Sequence, residues 1–463
     1  MNRIILIGNG FDLAHGLETK YKDFIEWVWK RLINKIDEVL NTNQLYEGYL
    51  LEVSTHSGLI GTSLKFDSAI NIFEDYCGES LRKLNYQGLQ KALLEFNKKH
   101  NNIKYSIFVK FKNSFLESLL KSHSNKEWVD IEEEYYRKLR KLSLEYNYDD
   151  IESIKILNQE LEQIKYLLDK YLQSVASHSQ KMPEFEQLIY SPFMKSDFID
   201  DTPIRNILSP ILDNIKDSFK KEPINDNTSF LYDYISDYYL SKYHRFFYYN
   251  DWDYIKKYSL DEIISDPNEQ EFINHCAVPN DILFLNFNYT PTAKYYAETD
   301  VSIRDGKKQN FKVNHIHGEL NQKEKSDSNP IIFGYGDEIS EEYKQLENLN
   351  DNTLLENVKS IRYLEADNYR NLMSFIESEE YQIYIMGHSC GISDRTLLST
   401  LFEHENCVSI KPFYYKWTDK KGQQHDNYRE IVQNISRNFG YKIMMRNKVV
   451  NKVHCLPLPQ KTK

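Results

Sequence analysis

The sequence is poor in cysteine, lacks long apolar runs and carries no excess of positive charge. Its five cysteines among 463 residues are widely spaced and form no C-x-x-C pair, which disfavours a disulfide framework or a cysteine zinc site. No apolar run approaches the roughly 20 residues that span a bilayer, and no signal-peptide pattern follows Met1. The formal charge of −11 disfavours general nucleic-acid binding, which needs clustered Lys and Arg. We therefore expect a cytoplasmic protein with reduced thiols, no membrane partner and no strong general affinity for nucleic acid.

The first residues of the chain predict a strand, a turn and a helix. Residues 4–7 form a short, continuous and mostly β-branched run, which is typical of a strand buried on both faces of a parallel sheet. Gly8 and Gly10 follow directly and let the backbone turn sharply and approach a ligand closely. Leu13 fills the third glycine position of the G-x-G-x-x-G pattern, so a tight turn without a ligand stays open as the alternative.

The remaining pattern divides the chain into three parts. Residues 41–274 show helical periodicity, for example over 107–120, and hardly any strand pattern. Short apolar runs bounded by turn residues return at 282–287, 311–317, 331–333, 382–386 and 407–410. We therefore predict an α/β fold with a Rossmann-like parallel sheet. Residues 1–40 supply its first strand, turn and helix, 41–274 form a large helical insertion, and 275–463 supply the rest of the sheet domain.

Polar residues follow the ends of two predicted strands, where open parallel sheets bind ligands. Asn288 and Tyr289 come after the run 282–287; an amide there can hold hydroxyls or position a water, or it can satisfy the loop backbone. His315 and His317 share one face of the next predicted strand, and Gly318 permits close approach to the backbone. Histidine titrates near working pH, so His317 is a candidate general base. No clear third ligand accompanies these histidines, and we predict no metal.

A second small-residue turn follows the run 382–386. Gly387 and Ser389 form the turn, and Ser393 or Asp394 caps the next helix, whose N-terminus can face an anion or a ribose. The stretch from Gly387 to Gly391 also fits the G-x-S-x-G nucleophile elbow. In that alternative Ser389 is the nucleophile of a hydrolase, with a base drawn from His404, His425 or His454.

The residues from Ile5 to Leu17 resemble the opening of the bacteriophage abortive infection AbiH family, and Trp128-Val129-Asp130-Ile131-Glu132 fits the same family. The second stretch is explained by a helix that Asn125 caps, with Trp128 inward and carboxylates outward. The alternative is that Asp130 or Glu132 projects into a nucleotide pocket. The resemblance covers nearly the whole chain.

The AbiH family is similar, more distantly, to sirtuin-like NAD-binding domains. The similarity lies in Gly8 and Gly10 with Gly16-Leu17, in Asn288-Tyr289, in His317-Gly318, and in Gly387, Ser389 and Asp394. The chain departs from that pattern at Thr290, where Asp is usual, at Asp12, where Ser is frequent, and in lacking a four-cysteine zinc site. The resemblance implies the branch of antiphage hydrolases that cleave NAD to nicotinamide and ADP-ribose, rather than protein deacetylation.

We therefore predict an antiphage effector, an NAD glycohydrolase, with NAD or a related nucleotide as substrate. A non-catalytic nucleotide sensor of phage defence is the alternative from another class. A phage-derived activator, a partner defence protein and a homo-oligomer stay open as partners. Asn288 and His317 are the predicted catalytic residues, and the predicted nucleotide-binding residues are Gly8, Asn9, Gly10, Phe11, Asp12, Tyr289, Gly318, Gly387, His388, Ser389 and Asp394.

Overall fold

The chain separates into two compact units, each built from several segments. The computed structural model describes residues 1–42, 45–57, 69–100, 105–125, 130–144, 150–177, 180–221, 277–297, 310–320 and 329–461. The first unit comprises Met1–Leu17, His178–Ile332 and Ser360–Lys463, and the second comprises Glu18–Ser177 and Phe333–Lys359. The second unit thus differs in extent from the predicted insertion of 41–274.

A parallel sheet of five strands forms the centre of the first unit. The strand order is Asn310–His315, Asp281–Asn286, Asn2–Ile7, Tyr381–Met386 and Cys407–Phe413, and every neighbouring pair is parallel. Every residue of the central strand Asn2–Ile7 is buried. The continuous apolar runs therefore predicted the parallel sheet correctly, because both faces of these strands are covered.

The two faces of the sheet carry separate apolar clusters. Ile4 and Leu6 join one cluster and Ile5 and Ile7 the other, as the alternation of side chains along a strand requires. Other elements of this unit include the short strands Lys416–Thr418 and Gln424–Asp426, and its described α-helices include Asn9–Ala14, Pro183–Ile189, Thr202–Lys221, Lys294–Ala297, Asn368–Ser378, Arg395–Glu403, Tyr428–Arg437 and Lys442–Lys448.

A buried charged network lies against the sheet of the first unit. Lys411 Nζ lies 2.8 Å from Asp197 Oδ1, and the exposed fractions of these two residues are only 6% and 3%. Gln382 Nε2 donates to the other carboxylate oxygen of Asp197 at 3.1 Å. Arg3, which is fully buried, donates to the carbonyls of Ile189 and Ser191. These bonds tie the segment around Asp197 to strands that come from distant parts of the sequence.

The second unit combines helices with a small antiparallel sheet. The strands Tyr46–Glu47, Leu51–Ser57 and Tyr105–Phe111 pair in that order, so the prediction of hardly any strand between 41 and 274 was wrong. Its helices are Tyr21–Thr42, Ala69–Cys77, Tyr86–His100, Ser114–Asn125, Ile131–Leu144, Asp150–Ala176 and Glu341–Asn348. The chain passes into the first unit again through the one-turn helix Lys359–Arg362. None of the described helices is both long enough and apolar enough to cross a membrane.

Three local predictions differ from the structure. Residues 331–333 form no strand. The strand predicted over 311–317 ends at His315, and a turn in which Gly318 N donates to the His315 carbonyl follows it. His317 therefore lies in the turn and does not share a strand face with His315. Asn125 ends a helix instead of capping the next one, since the following described helix begins at Ile131.

Candidate functional site

The predicted site residues of the first unit follow the carboxyl ends of four neighbouring strands. From the central strand Asn2–Ile7, the sheet extends to Asp281–Asn286 on one side and to Tyr381–Met386 on the other. The order of strands along the chain reverses at this central position. Open parallel sheets bind ligands at such a reversal, beyond the carboxyl ends of the strands. The loops that begin at Gly8, Phe287, Ile316 and Gly387 meet this criterion.

Gly8, Gly10 and Gly387 pack backbone against backbone at the strand reversal. A Cβ on Gly8 would lie 2.6 Å from the Cα of His388, and one on Gly10 would lie 2.8 Å from the Cα of Gly387. The Gly10 amide donates to the Gly387 carbonyl at 2.8 Å, and the Phe11 amide donates to the Gly8 carbonyl at 2.9 Å. The contact between the two turns thus accounts for the glycines, and the backbone amides of Gly10 and Phe11, two predicted nucleotide-binding residues, are bonded within the chain.

Replacement of Gly387 by alanine should destabilise the protein by about 2–4 kcal/mol. Gly387 has φ +78°, and its added Cβ would lie 2.1 Å from the backbone nitrogen of Phe11, so strain and a backbone clash add together. Gly422 has nearly the same φ, +80°, but open space around it, so Gly422→Ala measures the strain alone. Urea unfolding of both variants checks the difference, and equal losses would contradict the close contact.

The residues that follow the first glycine turn have different surroundings. Asn9 is exposed, whereas Phe11 is fully buried with its ring 4.5 Å from that of His15 and 4.7 Å from that of Phe185. Phe11 therefore belongs to the core. Asp12 is 1% exposed and accepts a hydrogen bond of 2.6 Å from the Thr290 hydroxyl. Burial raises the pKa of the Asp12 carboxyl to about 6, against which the nearby Thr290, Thr292 and Asn288 side chains act.

The raised pKa of Asp12 predicts a pH dependence of stability. A carboxyl whose pKa rises on folding favours the folded state below its unfolded pKa, and this contribution is lost as the pH rises through about 6. The wild-type chain should lose about 1–3 kcal/mol of unfolding free energy through this group between pH 4 and pH 7. Asp12→Asn should remove that loss, as denaturant titrations at several pH values can measure. Glu405→Gln, at an exposed turn, is the control and should keep the wild-type slope.

The loop of residues 286–292, here called the Asn288 loop, is held by side-chain amides. Asn288 Nδ2 donates to the Gly8 carbonyl at 3.0 Å, and the Asn288 amide donates to Asn286 Oδ1 at the same distance. Asn286 Nδ2 donates to the Thr290 carbonyl at 3.2 Å and lies equally far from His315 Nδ1. Tyr289 donates its hydroxyl to the Ile332 carbonyl at 3.2 Å. Asn288 thus combines bonds to the loop backbone with a position beside the first glycine turn.

His317, His388 and Asp394 come together in what we call the Asp394 cluster. Nε2 of His317 lies 3.3 Å from Asp394 Oδ1, and Nε2 of His388 lies 3.6 Å from Asp394 Oδ2. All three side chains are buried, with 4%, 6% and 8% of the residue exposed. One carboxylate between two imidazoles can stabilise a positive charge on either ring. The cluster therefore has the composition of a proton-accepting site.

Neighbouring groups fix the rings of the Asp394 cluster. The Phe287 ring lies 5.0 Å from that of His317 and 4.2 Å from that of His388. The Tyr363 hydroxyl lies 3.2 Å from His317 Nε2, and His388 Nδ1 accepts from the Cys390 amide at 3.0 Å. Gly318 has φ +83° and an added Cβ there would lie 2.1 Å from the Pro330 carbonyl oxygen, so the turn after His317 requires glycine. Tyr363 and Phe287 were not predicted as site residues, because Tyr363 lies outside the polar motifs and Phe287 was assigned to the apolar run 282–287.

The nucleophile elbow is not formed at Ser389. In such an elbow the serine itself occupies the strained turn, whereas here Gly387 and Cys390 have positive φ. Ser389 is exposed, and its carbonyl accepts from Asn434. His404 contacts Glu377 and His425 contacts Asp419, so two of the three proposed bases pair with other carboxylates.

The Trp128–Glu132 motif belongs to the second unit, where Trp128 lies outside the described residues. Asp130 Oδ1 accepts from the amides of Glu132 and Glu133 and so caps the helix Ile131–Leu144, a role predicted for Asn125. Glu132 is buried, pairs with Lys359 at 3.0 Å and accepts from the Gly334 amide at 3.2 Å. These contacts give Glu132 a structural role inside its own unit. In the described part of the chain, no group of three or more His, Cys, Asp and Glu could hold a metal ion.

Comparison with known proteins identifies the family. A family model described as Bacteriophage abortive infection AbiH matches residues 4–416, a range that covers the whole second unit, most of the first and the predicted site residues from Gly8 to Asp394. No curated protein and no solved structure matches the chain. The chain therefore belongs to the bacteriophage abortive infection AbiH family, which indicates a role in abortive infection of phage-infected cells.

Proposed function

We propose that the protein binds NAD or a related nucleotide at the carboxyl edge of its parallel sheet and hydrolyses the nicotinamide–ribose bond. The observation that carries this proposal is the Asp394 cluster, in which His317 and His388 share one carboxylate beside the strand reversal. Asn288 lies at the same edge, after the strand that is next to that of His317 and two strands from that of His388. The order of these motifs along the chain supports a sirtuin-like core.

His317 is the general base of the proposed reaction. The bond from the ribose C1′ to nicotinamide breaks and its electron pair leaves with the nicotinamide nitrogen. The oxygen of a water molecule then bonds to C1′, and His317 takes a proton from that water. Asp394, at 3.3 Å from His317 Nε2, stabilises the imidazolium that forms. The positive charge that develops on the sugar favours polar groups around the ribose, a role proposed for Asn288.

The glycine turns contribute shape to the proposed nucleotide site. Gly10 and Phe11 donate their amides within the chain, so the proposal does not use them as phosphate ligands. Gly8, Gly10 and Gly387 have no Cβ, so the two turns can stay in contact. Together the turns form a compact floor of the proposed site, beside the loops of Asn288 and His388. Tyr289 belongs to the Asn288 loop, and Gly318 to the turn that follows the strand Asn310–His315.

The experiment is release of nicotinamide from NAD by the purified full-length chain, measured by chromatography, with NAD binding followed by calorimetry in the same samples. The assay is run in buffer and with lysate from phage-infected cells, which supplies any phage-derived activator. Turnover that needs His317 and Asn288 supports the proposal. NAD binding without nicotinamide release under both conditions would refute the hydrolase.

A nucleotide sensor without catalysis is the second candidate. The near-complete burial of His317, His388 and Asp394 favours it, because buried rings have restricted access to a reacting water. In this case NAD or ADP-ribose should bind with equal affinity to the wild-type chain and to His317→Ala, and neither should release nicotinamide. A partner defence protein would then carry out the response.

A further inference from the structure

Asp12 has a buried carboxyl on which the side chains of Thr290, Thr292 and Asn288 act, with a short hydrogen bond from Thr290. Its Oδ2 accepts from the Thr290 hydroxyl at 2.6 Å, while its Oδ1 is buried and has no hydrogen-bond partner among the described residues. A carboxylate can accept several hydrogen bonds, and leaving a buried oxygen without one is costly. A buried oxygen of this kind therefore calls for an explanation beyond packing.

The Asn288 loop is bonded at two points to the short segment that contains Gly8 and Asp12. Asn288 Nδ2 donates to the Gly8 carbonyl, and Thr290 donates to Asp12, two residues further along the loop. At the start of the loop, the Asn286 side chain accepts a hydrogen bond from the backbone amide of Asn288 and donates one to the Thr290 carbonyl. The conformation of the loop therefore depends on the Thr290–Asp12 bond at one end and the Asn288–Gly8 bond at the other.

We propose that Asp12 is a positioning residue for Asn288 and acts through Thr290, an inference that rests on the proposed function. When the loop is anchored, the side-chain amide nitrogen of Asn288 donates its hydrogen bond to the Gly8 carbonyl. The amide oxygen is then the atom offered to the ligand, and it accepts a hydrogen bond from a ribose hydroxyl or from the attacking water. Asp12 itself has no contact with the nucleotide in this proposal, in contrast to its sequence-based assignment as a binding residue.

Kinetics of Thr290 variants test the anchor. Thr290→Val removes the hydroxyl at nearly constant shape and should lower kcat for nicotinamide release about 10- to 100-fold, because a displaced catalytic group loses rate steeply. Thr290→Ser keeps a hydroxyl and should recover most of the rate. Thr400→Val, which removes a threonine hydroxyl bonded within its own helix at the Thr396 carbonyl, is the control and should react like the wild type.

A double-mutant cycle shows whether Thr290 acts through Asn288. If it does, the Thr290→Val and Asn288→Ala double variant should be no slower than Asn288→Ala alone. Full additivity of the two losses would overturn the proposal. Asp12→Leu, which removes the acceptor of the Thr290 hydroxyl at similar side-chain shape, should behave as Thr290→Val does in the same cycle.

Hydrogen exchange separates a failure of the anchor from a failure of the proposed function. In Thr290→Val, peptides covering 286–292 should exchange at least tenfold faster than in the wild type, with other peptides unchanged. Unchanged protection together with normal turnover would overturn the anchor and leave the hydrolase. Lost protection in a chain that never releases nicotinamide would support the anchor and overturn the hydrolase.

Discussion

His317→Ala should lower the rate of nicotinamide release about 10²- to 10⁴-fold, the range expected for the loss of a positioned proton-transfer group. The reason is the contact of 3.3 Å between His317 Nε2 and Asp394, which stabilises the ring once it has taken a proton. NAD binding should change little, since the base is needed for the chemical step. Steady-state release of nicotinamide and calorimetric binding of NAD measure the two quantities.

The control for this prediction is His425→Ala. His425 lies on the hairpin of Lys416–Thr418 and Gln424–Asp426 and pairs there with Asp419, so its loss should leave turnover unchanged. Asp394→Asn preserves the shape of the carboxyl but not its charge, and should also slow the reaction. Wild-type rates in both His317→Ala and Asp394→Asn would exclude the Asp394 cluster from the reaction.

Asp197→Ala should destabilise the chain by about 3–5 kcal/mol, the usual loss when one partner of a buried ion pair is removed. The variant would leave the Lys411 ammonium buried without its counter-ion and would remove the acceptor of Gln382. The free energy of unfolding from urea titration measures the loss. It should appear whether or not the chain is a hydrolase.

Two comparisons sharpen the test of Asp197. Lys181 and Glu186 form an exposed pair at 2.7 Å, and Lys181→Ala should cost no more than about 1 kcal/mol. The Asp197→Asn and Lys411→Met double variant removes both charges and should be more stable than Asp197→Ala. A loss as small as that of Lys181→Ala would show that the buried pair contributes little.

The parallel sheet was predictable because its strands have a simple signature. Residues 4–7 and 383–386 are continuous apolar runs, and both lie in strands that are buried at every position. Parallel strands end at the same edge, so polar residues after each run could be assigned to one region. The strands of the second unit lack this signature and were missed. Residues 107–120 were interpreted as one helix, although an alternating strand, Tyr105–Phe111, precedes the helix Ser114–Asn125.

The pairing inside the candidate site could not be predicted from the motifs. Asp394 was expected to cap a helix, and its position between His317 and His388 depends on the shapes of two turns from separate strands. The burial of Asp12 likewise depends on Thr290, which lies 278 positions away in the sequence. A G-x-G pattern indicates a turn but does not reveal whether a ligand or another turn fills the space beside it, and here Gly387 does. The nucleotide roles of all these residues stay predictions.

The central position of the strand Asn2–Ile7 has a consequence for how the protein folds. Its two neighbours in the sheet lie far along the chain, as the hydrogen bond between Arg3 and Gln382, 379 positions apart, illustrates. During synthesis this apolar strand leaves the ribosome with both edges unpaired. It stays unpaired until the strands Asp281–Asn286 and Tyr381–Met386 have been synthesised. At about 5–20 residues per second the delay is tens of seconds, and such distant pairings form slowly. Chaperone dependence in the cell is therefore expected to be set by this one strand.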